Sequence, residues 1–456
     1  MFLPILLLIQ RMRTSLPLLT GLLLAATTVQ AQWVTQPIGF TNPVAAPFLI
    51  KAVDATTVWT IGYDLNGDDT NQVARSTDGG ITWTTGIVTG VLTADEFVSC
   101  LTAVDANTAW VGVVGNRANS RILKTTNGGQ TWVRQTTPQQ FGSTNSYPTA
   151  VHFFSATEGV CVGDPPVASG PLEIYRTIDG GVTWTTVANT PASTLRENAA
   201  DNVYAVSGNT IWVGTLEGRV FRSTDKGATW TVAATGLVDG IQNLAFRDAQ
   251  NGLASFLDQD TGTRLLERTT DGGLTWTRVT FTGNFPAWGL DNVPGTSQYI
   301  STGPDLGDGI RGTAYSRDNG QTWVTLENTL NNLFVDAVSS TAAWTGGVNP
   351  LTGAGTGMRR LTSTTLSARA AAPEQFGFQV YPNPSTDGRF TITSQHMRTS
   401  VELKIADALG RQVARRTWQG GPATPFTLDL SAYKAGVYTL EIASEAGISR
   451  QKLVVQ

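Results

Sequence analysis

The chain has 456 residues, 41% hydrophobic and only 14% charged, with 48 Gly, 13 Trp and a net charge of −4. Such a length allows two or three domains, and the charge balance offers no basic field for nucleic acid. Two cysteines, Cys100 and Cys161, are too few for a disulfide framework. One bridge, or two buried free thiols in apolar runs, are both open readings.

The first predicted element is a targeting segment. Arg11 and Arg13 precede the apolar run Leu16 to Ala26, and Val29-Gln30-Ala31 offers a small-residue cleavage site. Residues 1–31 read as a secretory signal peptide cleaved near Ala31, with Met12 as an alternative start. The apolar stretch is short for a membrane span, and nothing further along resembles a transmembrane helix.

From here a motif recurs six times. Its copies are Arg75 to Trp83, Lys124 to Trp132, Arg176 to Trp184, Arg222 to Trp230, Arg268 to Trp276 and Tyr315 to Trp323. The closing tryptophans stand 46 to 52 residues apart, a period that predicts propeller blades. Each copy lies between two β-rich runs, which is a hairpin signal. The Asp of the turn (Asp78, Asp179, Asp225, Asp271, Asp318, or Asn127 in the second copy) can accept backbone N–H groups further along. Gly tolerates the positive φ that follows. Trp83, Trp132, Trp184, Trp230, Trp276 and Trp323 can then fold beneath their turns. These residues are expected to be structural rather than ligand sites.

A second pattern precedes each box: a turn, then an apolar strand ending in Gly, as in Asp54 to Gly62, Asp105 to Gly112 and Ser207 to Gly214. A seventh copy, Ser339 to Gly346, has no box after it, only the strand-like Met358 to Leu361. Gln32 to Gln36 resembles a strand that follows a box, so the mature N-terminus is expected to supply the missing outer strand. The reading is all-β: a seven-bladed β-propeller over residues 32–361 and a small C-terminal β-sandwich over 374–456, joined by a linker at 362–373. The sandwich rests on alternating strands with Gly/Pro/Asn turns in the tail.

Two resemblances follow from these motifs. Tyr381-Pro-Asn-Pro384, Asp407-Ala-Leu-Gly410, Ala435-Gly-Val-Tyr438 and Lys452-Leu-Val-Val455 resemble the type A C-terminal sorting domain of the type IX secretion system of Bacteroidetes. That implies the type IX machinery as partner of residues 374–456, and a secreted or outer-membrane surface-attached protein. The boxes resemble the Asp-box (BNR) repeats of sialidases, sortilin-type receptors, xyloglucan-cleaving glycosidases and photosystem II assembly-factor-like propellers. A single ring with a box in nearly every blade is most similar to the assembly-factor type. No Arg-Ile-Pro segment precedes the first box, and no arginine triad assembles, which weakens a sialidase reading.

Candidate chemistry lies in the loops opposite the boxes. Acids fall in most of them, among them Asp164 in the stiff Gly163-Asp-Pro-Pro166, Asp258 and Asp305. Arg196 and Glu197 lie where the chain enters the fourth blade. Asp164 and Glu197 are the leading pair for a ligand site, with Arg196, Asp258 and Asp305 as further candidates; the carboxylates suggest a cation or a hydroxyl-rich glycan, and a protein ligand on this face is also open. Asp64, Asn66 and Asp68 alternate as calcium ligands do, but Arg75 stands where an EF-hand has its Glu. Calcium and a polar turn both stay open there. His152, the one histidine of the ring, reads as structural. The expected function is a binding or scaffold module; a glycosidase using acidic loop residues, or an assembly factor for another exported protein, are the alternatives.

Overall fold

The computed structural model describes residues 33–64, 71–91, 96–115, 119–194, 197–362, 378–394, 400–407, 411–419, 425–444 and 447–456. The signal segment and the linker beyond Thr362 lie outside the described residues. The chain divides into two compact units, Met1–Ser363 and Thr364–Gln456.

The first unit holds seven sheets, and in six of them the four main strands run from inner to outer in chain order. The inner strands are Ala46–Ala52, Phe97–Ala103, Pro148–Phe153, Ala199–Ser207, Asn243–Phe246, Gly289–Asn292 and Asn332–Ser339. Each packs on the next, and the first also packs on the last, which closes the ring. The closing sheet takes its outer strand from the other end of the unit: Trp33–Gln36 pairs antiparallel with Gly355–Leu361, Trp33 opposite Leu361. No sheet is then left with a bare edge at the junction. The sixth sheet carries a fifth strand, Thr282–Gly283, parallel to Thr322–Glu327.

The boxes close the outer hairpins. Asp78 accepts the Thr82 N–H at 2.9 Å and the Ser76 hydroxyl at 2.8 Å, while Gly80 N–H donates to Ser76 Oγ at 2.7 Å. Asp179, Asp225, Asp271 and Asp318 repeat the pattern with Thr183, Thr229, Thr275 and Thr322, and Asn127 does so with Thr131. Four of the box tryptophans donate their indole N–H to the carbonyl of the Gly two residues after the Asp or Asn, as Trp230 does to Gly227 at 3.0 Å. Trp184 and Trp323 are buried with that N–H unpartnered.

Neighbouring sheets are locked by the second-strand tryptophans. Trp110 stacks on Phe153 and Trp212 on Phe246, with centroids 3.6 and 3.7 Å apart, each pair spanning two sheets. Trp59 donates to the Asp105 carbonyl and Trp212 to the Gly272 carbonyl of the following sheet. In the first three boxes the opening cation adds a tie: Arg75 donates to Ala106 O, Lys124 to Gly180 O and Arg176 to Lys226 O. Cys100 and Cys161 are both free and buried.

The second unit has two sheets, one of three strands and one of four, around a core that includes Phe390, Leu403, Trp418, Leu440 and Leu453. Asn383 explains part of the Tyr381-Pro-Asn-Pro motif. Its amide donates to Lys452 O at 2.6 Å and accepts the Val454 N–H at 3.0 Å, clipping the motif to the last strand.

Candidate functional site

The inner strands surround a cavity of about 860 Å³ along the axis of the ring. Strands alternate in direction, so the inner strands begin at the face opposite the boxes. Phe48, Tyr63, Asp64, Asp201 and Phe334 therefore line the end of the cavity away from the boxes, and Arg247, Pro294 and Gly295 the box end.

The middle of the channel is a polar tier set by register. The residues opposite Trp59, Trp110, Val160, Trp212, Leu253, Ile300 and Trp344 are Lys51, Thr102, His152, Ala205, Ala245, Asp291 and Asp336. Asp336 accepts the Ala52 N–H at 2.8 Å, and Asp291 accepts the Ala337 N–H at 2.8 Å, each from the next inner strand. Lys51 faces Asp336 at 3.6 Å, and that carboxylate raises the lysine pKa despite burial. Burial raises the pKa of Asp291, and the charge of Asp336 adds to the effect. Burial, with repulsion from Lys51, lowers His152 to about 3, so the ring is neutral at any ordinary pH.

The mouth opposite the boxes has an aromatic side and an acidic side. Phe48 meets Phe334 edge-on at 4.9 Å and Tyr63 at 5.1 Å. Both phenylalanines stand at register shifts near the start of their strands, between Pro47 and Leu49 and between Asn332 and Val335. The acidic side is a larger irregularity. Ala199 pairs with Thr215 and Tyr204 with Val213, so Ala200 to Val203 bulge out of the ladder, and Asp201, Asn202 and Val203 line the cavity. Asn202 holds a left-handed φ of 58° in this bulge, a conformation that a side chain adopts at a cost. Its side-chain Oδ1 accepts the Leu101 N–H two sheets away at 3.4 Å. Asp201 lines the cavity, with a buried Oδ1 that has no hydrogen-bond partner.

Asp164 supports this bulge from behind. It is fully buried, its Oδ1 accepts the Ala199 N–H at 2.9 Å, and its Oδ2 has no partner. Burial, and then the nearby charge of Asp201, push its pKa up to about 8. Burial pushes Asp201 up to about 7.

The sequence candidates divide accordingly. Asp164 and Glu197 both lie toward the face opposite the boxes, on either side of one blade junction, but neither faces the cavity. Glu197 is fully buried and accepts hydrogen bonds from Arg219 Nε at 2.9 Å, Thr215 Oγ1 at 2.9 Å and Thr194 N at 2.7 Å. Burial opposes its ionisation, but the Arg219 bonds and the others outweigh burial, and its pKa is lowered. Glu96 pairs with Arg121 at the matching place two sheets earlier, so this ion pair is a repeated device of the ring. Asp258 caps its own loop by accepting from Asp260 N and Thr261 N. Asp305 accepts from Gly307 N and Gly309 N and pairs with Arg311 at 3.0 Å. Arg196, Asn66 and Asp68 lie outside the described residues; Asp64 lines the channel mouth. Among the described residues no three His, Cys, Asp or Glu side chains are grouped to hold a metal. Sequence reasoning missed Lys51, Asp201, Asp291 and Asp336. A signal existed for two of them: Lys51 and Asp336 stand at the same interval before Trp59 and Trp344.

Comparison with known proteins fits this architecture. Residues 92–255 match the family model of the photosynthesis system II assembly factor YCF48, and residues 74–85 match the BNR/Asp-box repeat. Residues 379–456 match the secretion system C-terminal sorting domain. The structure of YCF48 from Cyanidioschyzon merolae is 16% identical, covers 73% of this chain and 99% of its own, and has a TM-score of 0.50. A structure of YCF48 bound to D1 peptide is 15% identical over 74% of this chain and 98% of its own, with a TM-score of 0.34. An ancestral GH74 enzyme is 16% identical over 92% of this chain and 63% of its own, with a TM-score of 0.48. No curated protein matches the chain. The first unit is thus an Asp-box propeller of the BNR type. The whole chain is such a propeller carrying a sorting domain of type IX secretion, which directs it to the outer membrane or beyond. No helix among the described residues is long and apolar enough to cross a membrane.

Proposed function

We propose that the exported propeller is a binding module that takes part of a partner, a protein segment or a glycan, into the mouth of its central channel. The observation that carries this reading is the channel mouth itself. Aromatic surface from Phe48, Tyr63 and Phe334 shares a concavity with Asp201. Apolar walls with a few convergent polar groups are the ordinary make-up of a ligand site. The match of residues 92–255 to an assembly-factor family supports a protein partner, so that the ring would help assemble another exported component. A hydrolytic role has less support. Asp164 offers no surface to a substrate and Glu197 is engaged by Arg219, so this pair does not supply an acid and a base to one bond.

The test is a panel of immobilised peptides and glycans probed with the exported protein and with Phe48→Ala/Phe334→Ala. Ligands retained by the wild type and lost by the variant support the channel. Retention of every ligand by the variant would place binding elsewhere on the ring. Turnover of a glycan on the panel would favour the enzyme.

A further inference from the structure

Among the described residues, nothing hydrogen-bonds the buried Oδ1 of Asp201. Asp336 and Asp291 each bridge to the next inner strand, Glu197 and Glu96 are paired with arginines, and the box acids are held within their turns. The buried Oδ1 of Asp201, by contrast, has no partner, in a bulge whose Asn202 keeps an unfavourable backbone conformation. An unpartnered carboxylate oxygen out of water is costly, and Asp201 stands on a bulge that lines the cavity, a reasonable place to look for a ligand.

The charges around the cavity give the sign of that ligand. Among the described residues its lining includes the carboxylates Asp64, Asp201, Asp291 and Asp336 and two cations, Lys51 and Arg247. Both cations are engaged, Lys51 by Asp336 and Arg247 by Asp248. The buried carboxyl of Asp164 lies behind Asp201 and adds to the negative field when ionised. Because no metal-binding group of three side chains occurs among the described residues, an organic cation fits better than a metal ion. Phe48, Tyr63 and Phe334 line the same mouth and suit the alkyl stem and the charged head of such a group.

We infer that the channel mouth recognises an alkylammonium group, held by Asp201 and flanked by Phe48, Tyr63 and Phe334. The inference rests on the channel reading of the preceding section and adds the chemistry of the occupant. The group could be the side chain of a lysine in a partner or a free amine, and the two sources are separable.

The test uses calorimetry on the whole exported chain with n-hexylammonium, n-hexanol and n-hexanoate, which share a stem and differ in charge. Hydroxyl-radical footprinting reports where each one lies. The expected result is that hexylammonium binds at least tenfold more tightly than hexanol, hexanoate binds least, and Phe48 and Phe334 are protected. Asp201→Asn, close to isosteric, should bring hexylammonium down to the level of hexanol. Acetylated and amidated Ala-Lys-Ala, set against its norleucine counterpart, separates the sources. A preference for lysine identifies a partner's side chain; binding of the free amine alone identifies a small ligand. Equal binding across the hexyl series, with Phe48 and Phe334 still protected, overturns the cation inference and leaves the channel standing. Protection confined to residues outside the channel overturns both.

Discussion

The Asp336 carboxylate accepts the backbone N–H of Ala52 at 2.8 Å, joining residues 284 positions apart across the junction where the ring closes. The same carboxylate faces Lys51 at 3.6 Å, so one side chain ties the first inner strand to the last by two kinds of bond. Removing it leaves a buried N–H and a lysine without its nearest counter-charge. We predict that Asp336→Ala lowers stability by about 3 kcal/mol, within the range for breaking a buried pair. Asp336→Asn should cost less, because its amide oxygen can still accept from Ala52. Denaturant midpoints of the two variants check the order, and equal losses would show that only the charge matters.

The buried acids set a pH dependence. Asp164 and Asp201 are raised from 3.8 to about 8 and about 7, chiefly by burial. Between those limits the folded chain holds protons that the unfolded chain has released, so stability falls as pH rises through the window. The box acids act oppositely. Hydrogen bonds from Thr82, Thr183 and Thr275 lower Asp78, Asp179 and Asp271 to about 2, and their contribution is lost as pH falls below the ordinary carboxylate range. Thermal midpoints should therefore peak at about pH 4 to 5 and decline toward about pH 8. Asp164→Asn combined with Asp201→Asn should make that decline shallower, and the raised Asp291 keeps part of it. A midpoint that climbs steadily from pH 5 to 8 in both proteins would contradict the assignment.

The boxes are predicted to hold the blades without touching the ligand. Trp230→Ala removes a buried ring and its bond to Gly227, and should cost about 3 to 5 kcal/mol. Asp225→Ala should cost less, since its turn is at the surface. Neither substitution should change ligand affinity once the protein is folded, which calorimetry below the melting range can check.

In the tail, Asn383→Ala should free the last strand from the Tyr381-Pro-Asn-Pro motif. It removes bonds to Lys452 and Val454, and a loss of about 1 to 3 kcal/mol is expected in the second unit alone. Hydrogen exchange localised to residues 447–456 reads this directly. Unchanged protection at Val454 would mean that the clip contributes nothing.

These residues also mark what was legible in the sequence. The boxes and the loops opposite them could be read because turn chemistry is local: Asp, Gly and Thr at fixed spacing specify the hairpin by themselves. Trp33 opposite Leu361 could be anticipated because one strand pattern lacked its partner. The channel could not be read in that way. Lys51, Asp291 and Asp336 share a tier only once seven strand registers are aligned. Asp201 went unread because a bulge leaves no compositional mark when no Gly or Pro announces it. Glu197 drew attention as a polar residue in a loop, yet its partner Arg219 lies on a strand that only the fold brings near.

The central claim is that ligands enter the channel at the mouth opposite the boxes. Its most direct measurement is hydroxyl-radical footprinting of the exported protein with and without the tightest ligand from the peptide and glycan panel. The account predicts protection at Phe48, Tyr63 and Phe334, with no change at the exposed box residues Ile81, Val182 and Leu274. Protection at those box residues, with the three aromatic residues still reactive, would contradict it.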